Sequence, residues 1–172
     1  MQSPDLATGR RGADFGIGYV NALPELMESI LLRKEALQVL IPNSHPLAAK
    51  KRPKIRLAEL KDEPLVSAPN DTFLRRLTDA AAVSAGFNLH YSVTVDRLLS
   101  ILHHVSAGVA IGILPSGCLP TIQWDEGFHT AQLTEPSLSV AVGLITLRGR
   151  YLTPAASGMV SLIREQMTKA KG

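Results

Sequence analysis

Val95–Gly117 reads VDRLLSILHHVSAGVAIGILPSG, and this stretch decides the fold class. Leu98, Ile101, Leu102 and Val105 recur at i, i+3, i+4 and i+7, which sets them on one face of a helix. Gly108 sits where a helix stop belongs. Val109–Leu114 is then apolar at every position, the pattern of a parallel strand covered on both faces. Pro115 has no N–H for a sheet ladder and ends the strand. Helix, glycine, buried strand and proline-led loop make half of an α/β repeat. In open α/β sheets ligands lie outside the carboxyl ends of such strands, so the Pro115–Gly117 loop borders a candidate site.

Toward the amino terminus, Asp14–Val20 alternates and ends in turn formers, which predicts a strand with an exit loop at Asn21–Pro24. Leu23–Ser29 has room for one helical turn, and Ile30–Ile41 for one or two strands stopped by Pro42. Asn43–Arg56 reads as a loop carrying His45-Pro46-Leu47-Ala48 and the basic run Lys50, Lys51, Arg52, Lys54, Arg56. That run is either a phosphate contact or a solvated loop. No helix or aromatic partner organises its charges, so the solvated loop is preferred. Leu57–Lys61 predicts a short helix and Pro64–Ala68 a short strand.

Pro69, Asn70, Asp71 and Thr72 are turn and cap residues. A helix to about Ser84 follows, with Phe73, Leu77, Ala80, Ala81 and Ser84 inward and Gly86 closing it. Asn88–Thr94 is a strand. Residues 122–134 are irregular, with one strand at Thr130–Leu133. Val140–Leu147 is a second buried strand. Thr153 caps a final helix, Pro154 suits its first turn, and Ala155, Met159, Leu162, Ile163 and Gln166 give it an apolar face. Strands that follow helices imply a mostly parallel sheet with right-handed crossovers.

With 172 residues, 45% hydrophobic and 19% charged, the chain can bury a globular core in one or two domains. No apolar run approaches the roughly 20 residues that span a bilayer, and the first residues lack the apolar core of a secretory signal. Cys118 is the single cysteine, so no internal disulfide can form and a reducing, cytoplasmic compartment is expected. A net charge of +3 and 5% aromatic residues argue against a nucleic-acid surface of basic grooves and stacking rings.

No catalytic constellation stands out. His103 and His104 are adjacent, so on a helix they diverge by about 100° and cannot chelate one metal. His45, His90 and His129 have no partner at ligand spacing. Cys118 has no base near it in sequence and reads as a structural thiol. Asp125 and Glu126 read as solvated. The sequence has no GxGxxG, P-loop or GxSxG. Two strand-to-helix turns, Ser67–Thr72 and Thr94–Asp96, present backbone N–H groups to an anion. Equally, Asp71 and Asp96 can cap those helices and repel one.

Val105–Pro115, VSAGVAIGILP, closely resembles the "VaaGlGiaiLP" segment of the effector-binding domain of LysR-type transcriptional regulators. Gly12–Ile17 is similar to that family's "GraDfgI" strand, with Arg11 and Gly12 inverted. His45–Ala48 reproduces "HPLA". Leu57–Leu60 with Pro64–Val66 resembles "l.dL...p.i". Val142–Ile145, Arg148, Arg150 and Leu152–Ala156 resemble the closing "vgLi.r..r.LspaA". Each motif is weak alone; five in order and spacing are specific.

The resemblance implies a two-lobed, type 2 periplasmic-binding-protein-like α/β fold, with mostly parallel sheets and two crossover strands. Lobe I would be residues 1–41 and 138–172, and lobe II 42–137. The hinges would be Leu40, Ile41 and Pro42, and Ser137, Leu138 and Ser139. A small effector, with an organic anion as one candidate, would bind between the lobes at Gly18, Tyr19, Ser67, Ala68, Pro69, Asn70, Thr72, Thr94 and Val95. It implies no cofactor, no metal, no catalytic residue and no membrane partner. It further implies a homodimer, tetrameric in the full-length regulator. Operator DNA would be met only through an N-terminal winged helix-turn-helix absent from this chain. The first strand and helix of lobe I are also expected to be missing. A transport solute-binding protein of the same fold is the alternative.

Overall fold

The structure, a computed structural model, describes residues 13–21, 23–119 and 127–169. The described residues form eight strands and three helices. The strands are β1 (Gly16–Tyr19), β2 (Met27–Pro42), β3 (Lys54–Arg56), β4 (Pro64–Ser67), β5 (His90–Thr94), β6 (Ile111–Pro115), β7 (Phe128–Thr134) and β8 (Ser139–Leu147). The helices are α1 (Phe73–Ser84), α2 (Leu98–Ser106) and α3 (Pro154–Lys169). Gly12 of the first motif and the irregular stretch 122–126 lie outside the described residues.

The chain divides into two compact units. One is Ala36–Ser139; the other joins residues up to Glu35 with those from Val140 onward. The expected boundaries were after Ile41 and before Leu138. β2 changes unit at Glu35–Ala36, and Leu40, Ile41 and Pro42 are buried ladder residues of the larger unit, opposite Thr130, His129 and Phe128. Among the expected hinge residues, Leu138 accepts the Leu37 N–H at 3.0 Å and Ser139 opens β8.

In the larger unit the strand order runs β2-β6-β4-β5, with β7 paired to β2 and β3. β4 is parallel to both β5 and β6, whereas β2 is antiparallel to β6 and β7. The sheet is thus mixed: β3–β7, β4–β5 and β4–β6 are parallel, and β2 runs against both of its neighbours in this unit. β6 is buried along nearly its whole length, as its unbroken apolar sequence requires. α2 packs Ile101, Leu102 and Val105 on Leu40, Val66, Ala110 and Leu114. Gly108 ends that helix at φ +77, a conformation that L side chains rarely adopt. Leu98 and Val109, expected inward, are 38% and 49% exposed because each lies at an end of the buried run.

The basic loop carries more structure than its composition suggests. Pro46–Ala48 forms a 3₁₀ turn and Lys54–Arg56 pairs with β7. His45 caps the turn: its Nδ1 accepts the Leu47 N–H at 3.2 Å, so the proton sits on Nε2, which donates to Glu63 at 3.1 Å. Leu57–Leu60 is likewise a 3₁₀ turn rather than an α-helix. The inward face of α1 is Leu74, Thr78 and Ala82; Ala80 and Ser84, expected inward, are exposed.

In the smaller unit β8 lies between β1 and the first half of β2. β1 pairs antiparallel with β8, Gly18 opposite Gly143. Among the described residues no helical turn precedes β2, which starts at Met27 and is one long strand. α3 is capped as expected, Thr153 Oγ1 accepting the Ala156 N–H at 3.2 Å. It covers Leu32 and Leu144 with Val160, Ile163 and Met167. The expected face is therefore rotated: Met159 and Leu162 are 52% and 57% exposed. No helix among the described residues is long and apolar enough to cross a membrane.

Candidate functional site

β4, β5 and β6 run parallel, so their carboxyl ends, at Ser67, Thr94 and Pro115, fall on one edge of the larger unit's sheet. The chain leaves β4 through α1 toward β5, on one side of β4. It leaves β6 toward β7, which pairs with β2 on the other side. In open α/β sheets, strand ends whose connections go to opposite sides are the usual ligand position.

Two helices begin at this edge. Ser67 ends β4, and Ala68, Pro69 and the exposed Asn70 form the turn into α1. Thr94 ends β5, and the Val95 N–H donates to the Ser67 carbonyl at 3.0 Å, joining the two turns. The residues expected at Ser67–Thr72 and at Thr94–Val95 are therefore brought together. Gly18 and Tyr19 belong to the other unit and lie within β1, not after it, paired with Gly143 and Val142. A Cβ at Gly18 would sit 3.3 Å from Ile145 Cδ1, so glycine there also serves packing.

Neither helix is capped by a side chain. The N-cap of α1 is Thr72, whose hydroxyl instead donates to the Pro69 carbonyl at 2.8 Å. The N-cap of α2 is Arg97, with no side-chain cap bond. Asp71 and Asp96, offered as caps from the sequence, each fall one residue too early. Neither helix has an acidic residue in its first turn. Instead Arg76 and Arg97 are exposed there, against the helix dipole. The arrangement leaves positive ends and cationic side chains at one sheet edge, an environment suited to a carboxylate or phosphate. Arg76 and Arg97 were missed in the sequence; basic residues where a helix start favours acids were the available signal.

The remaining candidates are structural in setting. Cys118 is half-buried against the α2 core. His104 Nδ1 lies 2.7 Å from the Ser100 carbonyl, and His129 Nε2 lies 2.8 Å from the Arg52 carbonyl. No group of three or more His, Cys, Asp or Glu side chains placed to hold a metal occurs among the described residues.

The family model described as the LysR substrate binding domain matches residues 6–168. YwbI of Bacillus subtilis, described as an uncharacterized HTH-type transcriptional regulator, is 29% identical over 148 residues, 86% of this chain and 48% of its own length. GltC of the same organism, a transcriptional dual regulator, is 26% identical over 163 residues, 92% of this chain and 53% of its own length. The chain thus spans about half the length of these curated relatives.

Among solved structures, the effector-binding domain of QuiR in complex with shikimate matches with a TM-score of 0.76 at 22% identity, over 91% of this chain and 72% of that one. The regulatory domain of Synechocystis PCC6803 CcmR in complex with 2-PG matches with a TM-score of 0.78 at 16% identity, over 90% and 73%. The BenM effector-binding domain with benzoate gives 0.70 at 20% identity, over 92% and 71%. At such identities the likeness shows the fold, which is type 2 periplasmic-binding-protein-like.

Proposed function

The chain belongs to the LysR substrate-binding domain family, and from that premise we propose that it senses a small organic anion for a LysR-type transcriptional regulator in the cytoplasm. The observation that carries this reading is the pair of helix starts, Thr72–Leu74 and Arg97–Leu99. Both lack side-chain caps, both lack acids in the first turn, and both stand at the carboxyl edge of the parallel strands. The effector contacts are Ser67, Ala68, Pro69, Asn70, Thr72, Thr94 and Val95, joined by Arg76 and Arg97. Gly18 and Tyr19 are proposed as further contacts, and Glu35–Ala36 and Ser137–Ser139, where the chain passes from one unit to the other, as the segments that flex.

The mechanism asks for binding and not for turnover. An effector that favours one conformation over another shifts the population by its difference in affinity. In a homodimer or tetramer of the whole regulator, that shift would change how paired DNA-binding domains meet an operator.

A thermal-shift and calorimetric screen with shikimate, benzoate and other small carboxylates tests the reading. Saturable stabilisation by at least one anion, weakened in Arg97→Ala, is expected. Neutral ligands that bind while no carboxylate or phosphate does would sink the anionic assignment.

A further inference from the structure

A second concavity lies at the opposite edge of the same sheet. β2 is antiparallel to β6, so its carboxyl end at Pro42 is remote in register from Pro115. There an open depression of roughly 410 Å³ is lined by Asn43, Ala48, Ala49, Lys51, Phe128 and His129. That volume is within the range of small-ligand sites. None of these residues belongs to the effector contacts named above.

Three features give the depression a chemical character. Lys51 has φ +41, a left-handed backbone that a lysine rarely adopts, and its N–H donates to the Ala48 carbonyl at 2.9 Å. The turn fixes the Lys51 backbone at the depression, which this residue lines, and Lys51 has no carboxylate within salt-bridge distance among the described residues. Second, His129 donates its Nε2 proton to the Arg52 carbonyl, since a carbonyl can only accept. In a neutral ring that bond leaves Nδ1 as an acceptor. Third, Phe128, Ala48 and Ala49 supply apolar surface beside these two polar groups. Next in chain, Arg52 keeps a buried Nε with no hydrogen-bond partner.

We infer that this depression is a second small-molecule site, for a hydroxycarboxylate with a compact apolar body. Lys51 meets the carboxylate, His129 Nδ1 accepts from the hydroxyl, and Phe128 carries the apolar part. The basic run then has a role beyond solvation: Lys50 and Lys54 raise the local positive potential, and Lys51 makes the contact.

Amide chemical-shift titration of this chain with mandelate, and with phenylacetate as the hydroxyl-free control, tests it. Mandelate is expected to shift the amides of Asn43, Ala48, Lys51, Phe128 and His129, and to bind about tenfold more tightly than phenylacetate. Lys51→Gly suits the left-handed backbone and removes the whole side chain, its ammonium included, without straining the turn; it should cut mandelate affinity about tenfold. His129→Phe should abolish the preference for mandelate. Shifts confined to Ser67–Thr72 and Thr94–Val95, or mandelate binding unchanged in Lys51→Gly, would overturn the inference and leave the proposed effector site standing.

Discussion

The guanidinium of Arg75 lies 3.3 Å from the centroid of the Tyr91 ring, stacking the first turn of α1 on β5. Asp79 closes the arrangement. It accepts from Arg75 Nε at 2.8 Å through one oxygen and from the Tyr91 hydroxyl at 2.7 Å through the other. Thr78 Oγ1 lies 3.3 Å from the same hydroxyl. Helix, strand and charge are thus tied by one half-buried network just behind the candidate anion site. Arg75 is committed to that network, which leaves Arg76 and Arg97 as the cations of the site.

Tyr91→Phe keeps the ring under Arg75 and removes only the hydroxyl, with its bond to Asp79 and its Thr78 contact. It should cost about 1.5–3 kcal/mol in urea unfolding, the range for hydrogen bonds to charged groups. Tyr91→Leu also loses the cation–π contact, so it should cost more. Equal stability of Tyr91→Phe and the wild type would show that Asp79 is satisfied without the phenol.

The same residue sets an alkaline limit. Burial, reinforced by Asp79, raises the Tyr91 phenol well above its ordinary value, although the Thr78 contact opposes the shift. A raised folded value means stability that is complete below about pH 10, where the unfolded phenol titrates, and lost as pH climbs beyond it. Unfolding followed between pH 9 and pH 11 should show that decline in the wild type and a shallower one in Tyr91→Phe.

Glu59 sets the corresponding acid limit. Its carboxylate is held below the usual range first by the Arg56 backbone N–H at 3.0 Å and then by Arg52 at 2.8 Å, against the opposing pull of burial. A lowered folded value means stability present above the ordinary carboxylate value, near pH 4.3, and lost as pH falls through the folded one. Glu59→Gln should therefore cost about 1 kcal/mol at pH 7. The gap to the wild type should close on acidification below pH 4. A constant gap across that range would show that the loss is of packing, not charge.

How far the sequence could be read follows from the kind of signal each element carries. β6 was legible because every residue from Ile111 to Leu114 is apolar, and α2 because Ile101, Leu102 and Val105 leave one choice of face. α3 offers two apolar stripes about 100° apart: Ala155, Met159 and Leu162 beside Ala156, Val160 and Ile163. Periodicity cannot choose between them; Leu32 and Leu144 do. β3 was hidden because Ile55 alone is apolar there, and its pairing with β7 is a tertiary fact. At the candidate site the turns were placed correctly, but the caps were misassigned by one residue. Asp71 and Asp96 have the right chemistry, and only the backbone shows that Thr72 and Arg97 stand at the helix boundaries.

Two glycines predict opposite outcomes. A Cβ on Gly143 would lie 2.6 Å from the Ile30 carbonyl oxygen and 2.8 Å from Val20 Cγ1. Backbone cannot retreat as a side chain can, so Gly143→Ala should cost about 2 kcal/mol or more. Gly158, inside α3, has nothing within 4 Å of that position. Gly158→Ala should therefore stabilise by about 0.5–1 kcal/mol. Thermal unfolding of the two variants checks both signs at once.

The uncapped start of α1 makes the sharpest prediction, because stability and binding should move in opposite directions. Thr72 has the extended backbone of an N-cap, φ −77 and ψ 146, but spends its hydroxyl on the Pro69 carbonyl. Thr72→Asp places a carboxylate where the first-turn N–H groups can donate to it and where the dipole favours negative charge. The variant should gain about 0.5 kcal/mol in denaturant unfolding. The same carboxylate competes with an anionic effector for those donors and repels it, so affinity should fall by about tenfold or more. Thr72→Asn, neutral but able to cap, should keep most of the stability gain and lose less affinity. If Thr72→Asp bound organic anions as tightly as the wild type, the helix start would play no part in holding them.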